Sequence, residues 1–123
     1  MSTLDPAALD DRLGDDDLFV LDVRPREVYR TGHIEGSFNA PVYGDLRSGD
    51  VDALESYLDD VPRDAEVVTV CKAGIVARRA TSHLRERGYA ATTLAGGMRG
   101  WRGYRNGSLG YRLFSLLRRV VSR

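Results

Sequence analysis

A buried strand followed at once by a helix constrains this sequence more than any other feature. Residues 67–70 include three valines, and such a short apolar run predicts a strand that is buried on both faces. The apolar spacing from Val76 to Leu84 predicts a helix, which leaves a tight loop between the two elements. Ligands bind beyond the carboxyl ends of the strands in an open parallel sheet, so this loop is the first candidate for a functional site.

The loop opens with Cys71, the only cysteine of the chain, and continues with Lys72, the only lysine. A helix that begins just beyond the loop directs unpaired N–H groups and the positive end of its dipole at the residues before it. Gly74 lets the backbone curl so that successive N–H groups converge. Cys71 is therefore a candidate nucleophile in an anion-binding loop. The alternative, an inert buried cysteine at the end of a strand, stays open on these residues alone.

Composition limits the classes of protein that fit. With 123 residues, 42% of them hydrophobic, the chain is long enough for one domain with a real core and too short for two. One cysteine excludes an intramolecular disulfide and a multi-cysteine zinc site, and with two histidines we expect no metal and no cofactor. The first residues hold neither a basic segment nor an apolar run, so we expect a cytoplasmic protein without a secretory signal.

The net charge of zero hides a strong asymmetry along the chain. Only one acidic residue, Glu86, follows residue 66, whereas twelve of the 18 cations lie between residues 67 and 123. Either the two halves pair and their charges cancel, or a positive surface around Cys71 attracts small anions or an acidic partner. Basic and aromatic residues do not alternate on one face as nucleic-acid binding would require, so we expect no nucleic-acid partner.

The rest of the chain alternates between helix and strand. Glycines and prolines mark most boundaries, and a polar linker is expected at residues 44–50. Helices are predicted at residues 6–13, 25–29, 51–58 and 76–87, strands at 18–23, 67–70 and 91–94, and a brief extended piece at 37–39.

Four separated segments, in this order, resemble the motifs of a single rhodanese domain over roughly residues 4–102. They are Leu21-Asp22-Val23-Arg24, then Tyr29 with His33-Ile34 and Gly36-Ser37, then the loop from Cys71 to Ala77, and last Leu94 with Gly96-Gly97 and Trp101. The resemblance implies an α/β fold, a three-layer α/β/α rhodanese-like domain on a mostly parallel five-stranded sheet. It also implies sulfurtransferase chemistry in which the cysteine carries a persulfide.

The physics of the loop agrees with that implied chemistry. A Cys71 thiolate must attack a small anionic sulfur donor, thiosulfate or a persulfide, and a thiol or cyanide then accepts the sulfur. The persulfide is itself anionic, so converging N–H groups favour both the attacking and the loaded state. The predicted substrate-binding residues are Lys72, Ala73, Gly74, Ile75, Val76 and Ala77.

Other polar residues in these motifs are expected to have structural roles. Asp22 and Arg24 are expected to form an internal ion pair that supports the loop. His33 is expected to hydrogen-bond loop backbone or to pack beneath the site, and His83 to lie on a helix among surface neighbours. Trp101 is expected to close the edge of the core.

Two other functions remain open at this point. Dual-specificity phosphatases share a similar fold and place an arginine after five intervening residues, but the corresponding position here is Ala77, with the arginines at 78 and 79. Phosphatase or arsenate-reductase activity is therefore the weakest alternative. A binding module that kept the fold and lost turnover is the other, and the intact Cys71 and Gly74 count against it.

The C-terminal segment lies outside the family motifs. We divide the chain into a rhodanese-like domain, residues 1–103, and a second part, residues 104–123, with a linker and a basic amphipathic helix from Ser108. At about 1.5 Å per residue this helix is too short to span a bilayer. It either folds back onto the domain or a twin subunit, or binds an acidic membrane surface or a protein partner as a peripheral helix. The apolar stripe consists of Leu109, Leu113, Leu116, Leu117 and Val120.

A chain that ends at Gly107 should keep sulfurtransferase activity, because the loop and its supports all precede it. If the tail is an interfacial helix, the full chain should co-sediment with anionic vesicles in a salt-sensitive way and the shortened chain should not. Equal sedimentation of the two chains, or unfolding of the shortened chain, would instead indicate that the tail packs on the core of the domain.

Overall fold

The computed structural model describes residues 3–107, in which five parallel strands form one sheet in the order β1-β5-β4-β2-β3. The strands are β1 (Thr3–Leu4), β2 (Leu18–Asp22), β3 (Phe38–Asn39), β4 (Glu66–Val70) and β5 (Ala90–Leu94). The helices are α1 (Pro6–Arg12), α2 (Arg26–Thr31), α3 (Tyr43–Arg47), a 3₁₀ helix (Asp52–Asp60), α4 (Ala77–Glu86) and α5 (residues 97–107). Because every strand pairing is parallel, all the carboxyl ends lie at one edge of the sheet.

The central strand β4 is buried on both faces, as its valines predict. Val67 packs in a cluster with Leu54 and Leu84, whereas Val68 packs on the other face with Leu9 and Trp101. Alternate residues of a strand point to opposite faces, so β4 supplies both cores. The result is the predicted three-layer α/β/α domain, with α1 and α5 on one side of the sheet and the 3₁₀ helix and α4 on the other.

A chain of buried hydroxyls joins α4 to the sheet. The Thr81 hydroxyl lies 2.8 Å from that of Thr69 on β4 and 2.7 Å from that of Thr93 on β5. Thr69 also donates to the carbonyl of Ala77, the first residue of α4, at 3.1 Å. Buried hydroxyls need such partners, and here they fix where α4 begins relative to the end of β4.

Three short elements differ from the prediction. Strand β1 has only two residues and pairs with β5, which is too short for a periodic pattern to reveal. Helix α3 occupies part of the predicted polar linker, and it buries Leu46. The helix predicted at residues 51–58 is a 3₁₀ helix over Asp52–Asp60.

Residues 102–107 continue α5, so the first residues of the part expected to hold a linker, 104–107, are helical. Trp101 and Tyr104 pack against the core, and the Tyr104 hydroxyl donates to Asp10 at 2.8 Å. These contacts outweigh the low helix propensity of Gly103 and Gly107.

The predicted amphipathic helix and its membrane or partner role lie outside the described residues. The division of the chain at residue 103 also stays a prediction. Within residues 3–107, no helix is both long and apolar enough to cross a membrane.

His83 is not the surface residue that the sequence suggested, because only 8% of it is exposed. The 3₁₀ helix covers it, and His83 Nε2 lies 2.7 Å from Glu55 Oε1. Arg87 donates to the same oxygen at 2.7 Å. Partial burial opposes ionisation of Glu55, but the hydrogen bonds and charges of His83 and Arg87 outweigh it and lower the pKa of the carboxyl. Glu55 therefore holds the 3₁₀ helix against α4 as a carboxylate.

Glu55→Gln should destabilise the protein at neutral pH more than in acid. A carboxyl whose pKa is lowered in the folded state adds stability above its unfolded pKa of about 4.3, and that stability is lost as the pH falls through the lower folded pKa. Urea unfolding of both proteins at about pH 7 and about pH 3.5 measures the difference.

The matched control is Glu86→Gln, which removes one exposed carboxylate from α4. If the free energies of unfolding of wild type and Glu55→Gln differed by the same amount at both pH values, the role assigned to the Glu55 carboxylate would be contradicted.

Candidate active site

Cys71 follows the last residue of β4 and forms the floor of a cavity of about 480 Å³ at the carboxyl edge of the sheet. The residue is only 1% exposed, so the thiol is reached through the cavity. The walls are formed by Tyr43, Arg47, Lys72, Ala73, Ile75, Val76 and Arg79.

Two backbone N–H groups point at the sulfur. Gly74 donates to Cys71 Sγ at 3.1 Å and Ala77 at 3.4 Å. Ala77 is the first residue of α4, so its N–H is one of the groups that a helix leaves unpaired. Both N–H groups are thus placed to hydrogen-bond a negatively charged sulfur, and the thiolate is the form in which a cysteine reacts.

The six residues after Cys71 divide between the support of the loop and its rim. Gly74 and Ala77 are buried and carry the two donors. Ile75 is 69% exposed, an unusual position for a large apolar side chain. Lys72 and Ala73 are exposed and Val76 is half-buried. Within these six residues the rim is therefore apolar apart from Lys72.

The loop lies directly on the turn between β5 and α5. Met98 N–H donates to the carbonyl of Cys71 at 2.8 Å, and Arg99 N–H donates to that of Lys72 at 3.0 Å. Gly97 makes this approach possible: a Cβ there would lie 2.4 Å from the Cys71 oxygen and 2.7 Å from the Gly74 nitrogen. The paired glycines Gly96-Gly97 were part of the sequence resemblance, but no local pattern assigns them this role.

Gly74 meets the same turn from the other side. Its φ is +86°, and a Cβ would lie 3.1 Å from the nitrogen of Gly96 and 3.2 Å from the carbonyl oxygen of Leu94. A side chain would thus face both backbone strain and crowding. The positive φ means that the loop uses the backbone freedom that was predicted for Gly74.

Asp22 and Arg24 form a buried ion pair beside the loop, as predicted. Arg24 Nη2 lies 2.8 Å from Asp22 Oδ2, and the two residues are 2% and 1% exposed. Arg24 Nη2 also donates to the carbonyl of Gly32 at 2.9 Å. Between the pair, Val23 N–H donates to the carbonyl of Val70, the residue before the cysteine. The pair therefore fixes the chain next to Cys71, while neither residue lines the cavity that contains the sulfur.

His33 braces its own loop. Its Nδ1 lies 2.9 Å from the carbonyl oxygen of Tyr29, and its ring stacks on the Tyr29 ring at 3.8 Å. The side chain is exposed, and its hydrogen bond is to a carbonyl in the last turn of α2 rather than to loop backbone.

The cavity is positively charged. Arg79 Nη1 donates to the carbonyl of Leu46 at 2.8 Å, which holds this guanidinium in the wall beside α3. Lys72 and Arg47 line the same cavity, and no carboxylate does among the described residues. Within residues 3–107, no three His, Cys, Asp or Glu side chains converge as metal ligands would. This lining suits an anion.

Comparison with known proteins agrees with the motifs and the fold. The family profile described as "Rhodanese-like domain" matches residues 5–104. "Putative sulfurtransferase YtwF" of Bacillus subtilis (strain 168) is 30% identical over 98 residues, which are 79% of this chain and 86% of that protein. "Adenylyltransferase and sulfurtransferase MOCS3-2" of Zea mays is 32% identical over 83 residues, 67% of this chain but only 17% of that protein. A rhodanese-related protein from Thermoplasma volcanium has a similar structure, with a TM-score of 0.69 at 22% identity over 84% of this chain and 92% of that one.

Gly97→Ala should lower the free energy of unfolding by about 2–4 kcal/mol, because the new methyl group would overlap the backbone of the loop and the positive φ would add strain. Gly14 has a φ of +94° with open space around it, so Gly14→Ala should cost only about 1 kcal/mol. Urea unfolding compares the variants.

The opposite sign is expected at Gly103, which is helical and has open space around it. Gly103→Ala should stabilise the protein by about 0.5–1 kcal/mol. If Gly97→Ala cost no more than Gly14→Ala, the close approach at the loop would not be the controlling contact.

Proposed function

Because the chain belongs to the rhodanese-like domain family, we propose that it is a sulfurtransferase that carries sulfur as a persulfide on Cys71. The observation that carries the proposal is the pair of N–H donors at Cys71 Sγ on the floor of an open cavity. The family match and the name of the Bacillus subtilis relative support the same activity.

In the first half-reaction, the Cys71 thiolate attacks the outer sulfur of the donor. With thiosulfate, a bond forms between Sγ and that sulfur, the S–S bond of the donor breaks, and sulfite leaves with the bonding electrons. The product is a persulfide anion on Cys71. No proton has to be moved by a protein side chain, which fits a site whose lining offers N–H donors and cations rather than a base.

In the second half-reaction, the thiolate of an acceptor attacks the outer sulfur of the persulfide. The bond between that sulfur and Sγ breaks, the acceptor leaves as a persulfide, and the Cys71 thiolate is restored. The negative charge returns to Sγ, where the N–H groups of Gly74 and Ala77 receive it. The same donors thus serve both steps, and cyanide can replace the thiol as acceptor.

The lining of the cavity supports an anionic donor. Lys72, Arg47 and Arg79 offer positive charge to thiosulfate or to an organic persulfide. Ile75 and Val76 add an apolar rim that favours a donor with a carbon chain. The donor class we propose is therefore a small anion with transferable sulfur, with thiosulfate and organic persulfides as its two members to be tested.

The arginine positions argue against a phosphatase. Ala77 occupies the position where the phosphatase loop needs a guanidinium. Arg78 is exposed and lines a different cavity, and Arg79 is tied to the carbonyls of Leu46 and Arg47. Neither Arg78 nor Arg79 therefore occupies the position from which the phosphatase loop binds three phosphate oxygens.

Incubation of the protein with thiosulfate or an organic persulfide should add the mass of one sulfur atom, and cyanide or a thiol should remove it. Cys71→Ala should abolish both the added mass and the turnover, since Cys71 is the only thiol. The variant should stay folded, at a cost of no more than about 1–2 kcal/mol, because little side-chain volume is lost. Intact mass spectrometry and urea unfolding give the two readings.

Cys71→Ser is the matched control, because it keeps the size of the side chain and lacks the sulfur. Transfer by either variant above a few per cent of wild type would contradict the covalent mechanism. Hydrolysis of an aryl phosphate without sulfur on the protein would select the phosphatase, and neither reaction would select the binding module.

A further inference from the structure

A second cavity, of about 560 Å³, lies beside the one that contains Cys71. Tyr43 and Lys72 line both cavities, so the two cavities adjoin each other at these residues. The sulfur chemistry described above does not use this second cavity. Its lining consists of Arg24, Pro25, Val28, Tyr43, Lys72, Met98, Arg99 and Arg102.

The second cavity is positively charged and has no acidic residue in its lining. Arg24 is already paired with Asp22. For Lys72, Arg99 and Arg102, no carboxylate of the described residues lies within ion-pair distance. Three cations with no countercharge in the same cavity favour an anionic ligand.

The backbone fixes two of these cations relative to the sulfur. Arg99 N–H donates to the carbonyl of Lys72, so the first turn of α5 is attached to the active-site loop. Arg102 follows three residues later in the same helix, and side chains with this spacing lie side by side. Two arginines with this spacing that line one cavity can together bind a carboxylate or a phosphate.

Between the cations the second cavity is apolar. Pro25, Val28 and Met98 line it, and Val28 is 42% exposed although it is a large apolar residue. An exposed apolar side chain next to paired cations suits a ligand with a carbon arm and an anionic end. A volume of this size lies within the range of about 300–1,000 Å³ that is typical of small-molecule sites.

We propose that the sulfur acceptor is a low-molecular-weight thiol with an anionic arm, which this second cavity binds. The arm lies across Lys72, and its carboxylate or phosphate contacts Arg99 and Arg102. The thiolate end attacks the outer sulfur of the Cys71 persulfide, the Sγ–S bond breaks, and the acceptor leaves as its own persulfide. This inference rests on the proposed sulfurtransferase function and specifies its acceptor.

The test uses pairs of acceptors that share a thiol and differ by one anionic group of the arm. Pantetheine and 4′-phosphopantetheine share the same thiol, as do glutathione ethyl ester and glutathione, and the two pairs separate phosphate from carboxylate recognition. The full-length protein is first loaded with sulfur and checked by intact mass. Removal of the sulfur is then followed in a single turnover at increasing acceptor concentration.

Arg99→Gln/Arg102→Gln should lower the second-order rate of transfer to at least one of the two anionic acceptors by about 10- to 100-fold, the effect of losing one or two charge-assisted contacts. The variant should need a higher acceptor concentration to reach half of its maximal rate, while the maximal rate itself should stay unchanged. For the neutral partner of each pair the change should stay within about twofold, because the thiol end does not touch α5. Arg63→Gln/Arg78→Gln is the matched control, since it removes the same charge outside both cavities.

Equal losses for the anionic and neutral acceptors would overturn the proposal, as would equal effects of the two double variants. Efficient transfer to a protein thiol together with no preference between the members of either pair would also overturn it, in favour of a macromolecular acceptor. Failure of wild type to load sulfur would instead refute the proposed function.

Binding of S-methylglutathione and S-methyl-4′-phosphopantetheine to Cys71→Ser, with and without the arginine substitutions, tests the second cavity without sulfur chemistry. Binding that the arginine substitutions leave unchanged would contradict it.

Discussion

The contact between the turn at Gly97 and the loop after Cys71 is the constraint on which the active site depends. The carbonyls of Cys71 and Lys72 accept hydrogen bonds from Met98 and Arg99, which are among the N–H groups that the start of a helix leaves unpaired. Because N–H groups of α5 donate to these carbonyls, the curl of the loop directs N–H groups rather than oxygens at the sulfur. The N–H groups at the start of α5 thus bind carbonyls on the outer side of the loop. An N–H group at the start of α4 donates to the sulfur on its inner side. The arrangement tolerates no side chain at residue 97.

The buried pair of Asp22 and Arg24 supports the same site in a different way. Two charges that are almost fully removed from water are costly, and they persist only where geometry and additional hydrogen bonds compensate. Here Arg24 makes contacts with Asp22 and with the Gly32 carbonyl, and Asn39 donates to the carbonyls of both Asp22 and Arg24. The chain after β2 is therefore held by directional bonds rather than by apolar packing. Such bonds allow fewer alternative positions for Val23, whose N–H binds the residue before the cysteine.

The features that sequence predicted are those encoded by local pattern. Three valines in four residues fixed the position of β4, and a single cysteine before a glycine and a helix fixed the candidate site. The pair of Asp22 and Arg24 was also predictable, because the two residues are close in sequence. The missed features depend on contacts between residues far apart in the chain. Gly97 meets Cys71 only after β5 and α5 have packed, and His83 is buried only because the 3₁₀ helix covers it.

The outcome of the charge asymmetry also depends on contacts between residues far apart in the chain, which is why two interpretations stayed open from sequence. Part of it cancels by pairing across the two halves of the chain, since Glu55 contacts His83 and Arg87, and Asp10 contacts Arg105. At the carboxyl edge of the sheet the cations that line the two cavities face no carboxylate from the linings. Pairing thus accounts for part of the asymmetry and unpaired cations for another part, while attraction of an anion to those cations stays a proposal. Pairing elsewhere in the domain leaves the positive potential concentrated at the site, where each form of Cys71 that the proposed reaction passes through is an anion.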